Sequence, residues 1–430
     1  MIHPRWRPKE FLLLTAALAP TLGGFALLGF ISHGNVSLDH LRLGLALVGL
    51  SFLAHIFTSL RGFSGDQLLL PLTAALSGLG LIFVQRLAGV DLAQKQAWWI
   101  GLGFVAMVLI LSLPNLYFLL SRYRYLWAFL GLSLVVITFV LGKGTTPSGP
   151  RLWLDLGPIH FQPSEALKLL LVIFFASYLN DYRELVAYGR YRLGPLALPP
   201  IPYLVPLGLV WGVSLLTMIL QRDLGVAFLL FGIFVALLYI ASGRTGYVLA
   251  GILAFGLAAW SAYQLIPLIQ QRFEVWLNPW TQASGTGYQI IQGLIALGRG
   301  GVLGMGPGWG YPTYIPAVHT DFVFAAIGEE LGLPGAMAVL IMYAMLVYRG
   351  YRVALDATRV FPQLLAAGLT TTLALQTLAI LGGTLKLIPL TGITLPFVSY
   401  GGSSMLANYI LVGLLLRISG DEVQRGVKDD

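Results

Sequence analysis

Residues 285–332 read GTGYQIIQGLIALGRGGVLGMGPGWGYPTYIPAVHTDFVFAAIGEELG. Glycines, prolines and aromatic residues make up nearly half of this stretch, and an apolar run begins directly after Asp321. A polar segment that ends in a carboxylate therefore meets a segment that is too apolar to lie in water. The pattern predicts chemistry at a membrane surface, on a substrate that is itself anchored in the membrane.

The composition of the whole chain lies far outside the range of soluble domains. Its 430 residues are 57% hydrophobic and 10% charged, and the mean hydropathy is +0.80. Apolar runs of about 20 residues recur along the chain, each long enough to cross a hydrocarbon core of roughly 30 Å as a helix. The absence of cysteine excludes disulfides and thiolate metal sites. We therefore predict an all-α polytopic integral membrane protein.

The apolar runs predict about twelve transmembrane helices. These are centred near Leu22, Val48, Leu79, Val105, Val135, Leu171, Leu209, Phe231, Phe255, Met337, Leu373 and Leu411. With the amino terminus inside, sixteen Lys and Arg residues fall on the cytoplasmic side and nine on the opposite side, while Lys168 lies within a span. The positive-inside rule thus favours two cytoplasmic termini. The scattered basic residues argue against nucleic acid as a partner.

Two predicted loops are long, and both fall on the extracytoplasmic side. The first runs from Lys143 to Gln162, and the second covers about residues 268–322. Trp and Tyr residues in the second loop suit a bilayer interface, and its glycines allow close approach of the backbone. The loop follows no strand and lacks a Gly-Lys-Ser/Thr ending, so nucleotide binding is a poor fit.

Ionisable residues at membrane depth need a partner or a watery cavity. Glu165 and Lys168 open the sixth predicted span, and their separation of three residues places both on one helical face. Two interpretations remain open for this pair. It is either a buried ion pair that fixes the helix register or a polar lining for a cavity that receives a head group.

Asp321 is the candidate catalytic residue because it lies where the polar loop turns into an apolar helix. The alternative is a helix N-cap, a common role of Asp. An apolar environment would raise the pKa of the carboxyl group towards a value useful for a general base. His319, Glu329 and Glu330 lie close in sequence, and we assign them supporting or structural roles.

Extracytoplasmic cations are candidates for contacts to phosphate oxygens, namely Arg272, Arg299 and Lys386. Simple anchoring at the interface is the alternative for each of them. His319 and Asp321 have too few neighbouring ligands for a dedicated metal site, so no metal ligand is assigned. A Mg²⁺ or Mn²⁺ ion carried by a pyrophosphate needs only one or two carboxylates and stays open.

Five blocks of the sequence resemble the signature blocks of the SEDS family, the family of RodA, FtsW and SpoVE. The blocks are RLWLDLGPIHFQPSEALK (151–168), QRDLG (221–225), GTGYQIIQGLIALGRGGVLGMGPG (285–308), HTDFVFAAIGEELG (319–332) and PLTGITLPFVSYGGSS (389–404). The resemblance runs from about Trp98 to Arg417. It implies a peptidoglycan glycosyltransferase that polymerises lipid II at the outer face of the bacterial inner membrane, together with a class B penicillin-binding protein.

The resemblance also assigns roles to single residues. Asp321 matches the family's essential aspartate in the large extracytoplasmic loop, and Trp153 matches a tryptophan important for activity. Glu165 and Lys168 match the polar pair of their block. Ala317 stands where an acidic residue often precedes His-Thr-Asp.

The family core has ten spans, which leaves two of the twelve predicted helices as an addition. We therefore expect an amino-terminal two-helix segment at residues 1–65, a core at 66–420 and a cytoplasmic tail at 421–430. The main alternative functions are a flippase or transporter for a lipid-linked precursor, and a membrane scaffold for cell-wall enzymes. The long extracytoplasmic loop with its carboxylate argues against a pure transporter.

Overall fold

The structure of the protein is a computed structural model that describes residues 6–144, 151–157, 159–188, 191–193, 196–198 and 200–429. The first helices are α1 (Pro8–His33), α2 (Leu38–Leu60), α3 (Leu69–Ala88), α4 (Val90–Ser112), α5 (Leu116–Arg122), α6 (Arg124–Leu141) and α7 (Pro163–Tyr188). They are followed by α8 (Ile201–Leu220), α9 (Leu224–Ser242), α10 (Thr245–Leu265), α11 (Pro267–Leu277) and α12 (Tyr288–Gly300). The last four are α13 (Val318–Asp321), α14 (Val323–Asp356), α15 (Val360–Thr384) and α16 (Gly402–Asp429).

Four strands of three residues each form two antiparallel hairpins beside this helical bulk. Strand β1 (Leu154–Leu156) pairs with β2 (Ile159–Phe161), and β3 (Tyr191–Leu193) pairs with β4 (Leu196–Leu198).

All twelve predicted span centres lie inside helices, so the predicted fold class is confirmed. Among the described residues, eleven helices are long and apolar enough to cross a membrane. The twelfth helix at a predicted centre, α7, is not among them because it carries Glu165 and Lys168 in its first turns and further charges near its end. The chain is a multi-pass membrane protein.

The segment between α10 and α14, residues 266–322, corresponds to the predicted long loop. It contains α11, α12, α13 and two 3-10 turns, Pro279–Gln282 and Pro312–Tyr314. Helix α14 is broken near its start, because Gly332 adopts φ 63° and ψ −160° and Pro334 follows. At the other end of the chain, the predicted tail begins within α16, which continues to Asp429.

The chain divides into two compact units, and the first contains the segment around Asp321. Unit 1 comprises Met1–Ser112, Gln271–Arg349 and Gln376–Asp430. Its helices approach closely at small residues: a Cβ at Gly103 of α4 would lie 2.7 Å from the Tyr409 ring of α16, and one at Gly78 of α3 would lie 2.2 Å from Thr21 of α1. The amino-terminal helices are therefore packed against a core helix within this unit.

Unit 2 comprises Leu113–Gln270 and Gly350–Leu375. Its central element is α7, which packs against α6 and α9. Leu167, Leu171 and Phe174 of α7 are fully buried. Because α7 is surrounded by other helices, charged residues on it need partners inside the unit.

A buried ionic network joins the amino-terminal helices to the rest of unit 1. Arg7 Nη2 lies 2.9 Å from Glu10 Oε2 and donates hydrogen bonds to the carbonyl oxygens of Gly65 (3.0 Å) and Asp66 (2.7 Å). His55 of α2 contributes a 2.7 Å hydrogen bond to Glu10 Oε1. The Asp66 carboxylate in turn pairs with Arg349 of α14. The network therefore connects four separate parts of the sequence.

Replacing Arg7 with Met should destabilise the protein strongly. The substitution leaves the carboxylate of Glu10 and two backbone carbonyls without their cationic partner, and breaking a buried ion pair typically costs about 3–5 kcal/mol. We expect a lower thermal unfolding temperature in detergent for Arg7→Met. The matched control is Lys9→Met at an exposed position of α1. Equal unfolding temperatures for the two variants would contradict a stabilising network.

Candidate functional site

The short helix α13 places Asp321 immediately before the apolar start of α14. The side chain of Asp321 is half-buried. Within the described chain, the carboxylate accepts no hydrogen bond from a backbone N–H. An N-cap residue does accept one: Asp223 accepts from the amide of Val226 of α9 at 3.1 Å. The capping role is therefore not the one that the structure shows for Asp321.

Neighbouring segments hold the backbone of residues 319–321. The amide of Tyr400 donates to the carbonyl oxygen of His319 at 2.8 Å, and the Ser399 hydroxyl donates to that of Thr320. The Thr384 hydroxyl at the end of α15 donates to the carbonyl oxygen of Asp321 at 3.3 Å. Three successive carbonyl groups thus have partners from elsewhere in unit 1, which fixes the position of α13.

Burial raises the pKa of the Asp321 carboxyl group above its ordinary value. The neighbouring Thr320 hydroxyl and the positive charge of Arg272 act in the opposite direction. Burial also lowers the pKa of His319, which keeps the imidazole neutral near pH 7. The site therefore combines a carboxyl group of increased basicity with an imidazole that is mainly uncharged near pH 7.

Helix α11 carries one cationic residue, Arg272, and docks beside a second, Lys386. Trp276 of α11 donates a 3.0 Å hydrogen bond to the carbonyl oxygen of Lys386, and Lys386 Nζ donates to that of Leu277 at 3.4 Å. These bonds dock α11 on the turn that follows α15, two residues beyond Thr384. Arg272 is carried on the same helix. The predicted cations Arg272 and Lys386 thus lie in the same region of unit 1 as Asp321.

Strained backbone is concentrated around the site. Five described residues other than glycine have a positive φ, and three of them belong to segments next to Asp321: Ala317 (49°), Lys386 (59°) and Phe397 (66°). Such conformations cost of order 1–3 kcal/mol each and persist only where surrounding contacts enforce them. Ala317 immediately precedes α13, so the helix that carries Asp321 begins at a strained residue.

Glu329 and Glu330 hold the glycine-rich loop, residues 301–311, against the first part of α14. Glu329 Oε1 accepts from the amide of Tyr311 at 3.1 Å, and Glu330 Oε2 accepts from that of Gly308 at 2.9 Å. Arg86 of α3 lies 3.2 Å from Glu330 Oε1 and donates to the carbonyl oxygens of Gly308 and Gly310. Arg299, by contrast, is 45% exposed and lies 3.9 Å from Glu329.

The remaining predicted site residues belong to unit 2. Glu165 and Lys168 form a buried ion pair 2.5 Å long in the first turns of α7. Trp153 is half-buried and forms an antiparallel bridge with Lys143, with N–O distances of 2.9 and 3.3 Å. The pairing of Glu165 with Lys168 follows the three-residue spacing seen in the sequence.

The described residues contain no group of three or more His, Asp or Glu side chains that would hold a metal ion. Sequence reasoning gave Arg86 no role in the site and did not consider Gln96 or Ser399. The partners of Arg86 and Gln96 lie more than 200 residues away in sequence, so no local pattern reveals them.

The sequence profile of a cell cycle protein family, FtsW/RodA/SpoVE, matches residues 67–424. Peptidoglycan glycosyltransferase RodA from Mycobacterium tuberculosis is 38% identical over 429 residues, which cover 97% of this chain and 91% of that protein. Stage V sporulation protein E from Bacillus subtilis is 33% identical over 373 residues, which cover 83% of this chain and 97% of that protein.

A solved chain from a peptidoglycan synthase complex that coordinates polymerization and crosslinking has the same fold. It is 27% identical, with a TM-score of 0.70, and the match covers 84% of this chain and 99% of that chain. The family profile begins after α2, whereas the alignment with the Mycobacterium tuberculosis protein leaves only 3% of this chain for unmatched residues. The amino-terminal helices therefore have counterparts in that relative.

Replacing Glu330 with Ala should loosen the glycine-rich loop. The change removes the acceptor of the Gly308 amide and the partner of Arg86, whose bonds to Gly308 and Gly310 depend on its position. We expect faster hydrogen exchange of the loop amides and a lower unfolding temperature. Arg299→Ala is the control, because Arg299 is 45% exposed and approaches Glu329 only at 3.9 Å. Equal exchange in both variants would show that Glu330 does not hold the loop.

Proposed function

The chain belongs to the FtsW/RodA/SpoVE family and is a peptidoglycan glycosyltransferase, and we propose that it polymerises lipid II with Asp321 as the general base. The observation that carries this proposal is the environment of Asp321. Its carboxyl group has a raised pKa, lies at the start of a membrane-spanning helix and is carried on a backbone that neighbouring segments hold at three successive carbonyl groups.

The reaction joins two lipid-linked sugars in one displacement. Asp321 accepts the proton of the acceptor's C4 hydroxyl group as the bond between that oxygen and C1 of the donor sugar forms. The bond between C1 and the diphosphate oxygen of the donor breaks at the same time, and the lipid diphosphate leaves with the electron pair. No covalent intermediate with the enzyme is needed.

The remaining contributions come from charge and proximity. Arg272 and Lys386 stabilise the negative charge that develops on the diphosphate, because both lie in the region of Asp321. The lipid tails hold donor and acceptor at one interface, which reduces the entropy lost in reaching a reactive geometry. In unit 2, Glu165, Lys168 and Trp153 are proposed to support substrate binding.

A divalent cation is proposed to arrive with the diphosphate as its counter-ion. Mg²⁺ is usually bound by one or two carboxylates together with substrate phosphates, and the Asp321 carboxylate would be the protein group suited to such an ion. When bound, the ion supplies charge neutralisation at the leaving group.

We place the enzyme in the bacterial inner membrane, with both termini in the cytoplasm and the 266–322 segment at the outer face. The distribution of Lys and Arg supports this orientation. A class B penicillin-binding protein is the proposed partner, because the similar solved chain comes from a complex that coordinates polymerization with crosslinking. The polymer would serve cell elongation or division.

Asp321→Asn should abolish polymerisation of lipid II by the purified protein with its partner. The amide cannot accept the proton, so we expect a loss of at least about 100-fold. The unfolding temperature of the variant should be no lower than that of the parent. Burial raises the pKa of the Asp321 carboxyl group, so above that pKa its ionised form destabilises the folded protein, and the amide removes this cost. The exposed Asp91→Asn substitution is the matched control.

Normal glycan output from Asp321→Asn would remove this residue from the mechanism. Transport of labelled lipid II across vesicles by the parent protein, without any glycan, would instead favour a flippase.

The activity should decrease at low pH as Asp321 becomes protonated, with an apparent pKa above the ordinary value of about 3.9. The positive charge of Arg272 lowers this pKa, so Arg272→Gln should move the acid limb of the kcat/KM profile to higher pH. Arg299→Gln makes the same charge change near Glu329 and should leave the limb in place. Identical shifts in both variants would indicate a general charge effect.

A further inference from the structure

We propose that Gln96 of α4 is a positioning residue that sets the place of Asp321 by clamping the turn at residues 399–401. This role rests on the proposed function of Asp321 as the base. Gln96 lies more than 200 residues from Asp321 in sequence and acts on it through two intervening segments of backbone.

Both ends of the Gln96 amide are bonded to the turn. Its Nε2 donates to the carbonyl oxygen of Ser399 at 3.1 Å, and its Oε1 accepts from the amide of Gly401 at 3.2 Å. The residue is fully buried. One side chain therefore bridges two backbone groups that lie two residues apart, which fixes the turn as a unit.

The clamped turn is the same one that holds α13. Between the two anchor points of Gln96, the amide of Tyr400 donates to the carbonyl oxygen of His319 at 2.8 Å. The Ser399 hydroxyl donates to the carbonyl oxygen of Thr320 and accepts from the amide of Leu395 at 3.0 Å. The sequence of contacts thus runs from Gln96 through residues 399–401 to 319–320, next to Asp321.

Helices α3 and α4 hold the turn on its other sides. A Cβ at Gly80 of α3 would lie 2.5 Å from the carbonyl oxygen of Phe397, so α3 touches the backbone directly. Trp99 lies one turn beyond Gln96 on the same face of α4, and a Cβ at Gly402 would lie 2.1 Å from its ring nitrogen. Packing limits the movement of the turn, and the two hydrogen bonds of Gln96 fix the orientation of its Ser399 carbonyl and Gly401 amide.

The buried side-chain amide of Gln96 cannot be replaced by an apolar side chain without a cost in free energy. A side chain of similar shape without polar atoms, such as Met, would pack as well and avoid the desolvation of an amide group. It would leave the Ser399 carbonyl and the Gly401 amide without partners. The turn would then shift to satisfy them, and α13 would shift with it. A displacement of about 1 Å at a reacting group can cost roughly 100-fold in rate.

The experiment compares Gln96→Met with Gln94→Met, a matched substitution at an exposed position of the same helix. Polymerisation is measured with the protein and its partner in proteoliposomes. We expect Gln96→Met to lower kcat about 10- to 100-fold with KM unchanged within twofold. Gln94→Met should change neither. Unchanged kcat in Gln96→Met would overturn the proposal.

Hydrogen exchange of the amides of residues 318–322 tests the clamp without reference to catalysis. It should increase in Gln96→Met only. If Asp321→Asn proves active while this exchange increases, the proposed function fails and the clamp stands. Unchanged exchange overturns the clamp. Should Gln96→Met fail to fold, Gln96→Glu is measured instead: it keeps an acceptor for the Gly401 amide, loses the amide donor to the Ser399 carbonyl oxygen and should lower kcat relative to the parent. Full kcat in that variant would count against the proposal.

Discussion

Polar groups inside this helical protein need hydrogen-bonding partners from the protein itself, because hydrocarbon offers none. That constraint explains how a carboxylate can lie at the start of α14. Asp321 keeps a half-buried, ionisable side chain because the backbone on which it stands is bonded at three successive carbonyl groups. The surrounding segments thus supply the partners that the backbone of residues 319–321 needs.

The glycines of residues 285–332 follow from the same constraint. The glycine-rich loop runs directly along the first part of α14: the amides of Met305 and Gly306 donate to the carbonyl oxygens of Glu329 and Glu330 at 2.8 and 3.0 Å. A Cβ at Gly300 would lie 2.0 Å from the carbonyl oxygen of Gly328, so no larger residue permits this approach. The loop amides thereby satisfy carbonyl groups of α14 just before its break at Gly332, which would otherwise lack partners.

The sequence predicted the helices well because each span is decided locally, by about 20 apolar residues. It also placed Glu165 and Lys168 on one face of α7, because a separation of three fixes their geometry, and the structure shows the two side chains paired. The clamp by Gln96 could not be predicted from the sequence. Gln94 and Gln96 flank the same lysine, and only the packing of α4 against the turn at 399–401 makes one exposed and the other buried. The role of Arg86 and the network of Arg7 depend equally on tertiary contacts.

Three acidic residues lie between positions 319 and 332, and the structure gives them different tasks. Glu329 and Glu330 are occupied by backbone amides of the glycine-rich loop, and Glu330 also by Arg86. These contacts hold both carboxylates against the loop and leave them poorly placed to reach a substrate. Among the residues that the structure describes, no backbone amide donates to the Asp321 side chain, which lies near Arg272. A residue whose ionised form is costly to the folded state is suited to be a base, because accepting a proton relieves that cost.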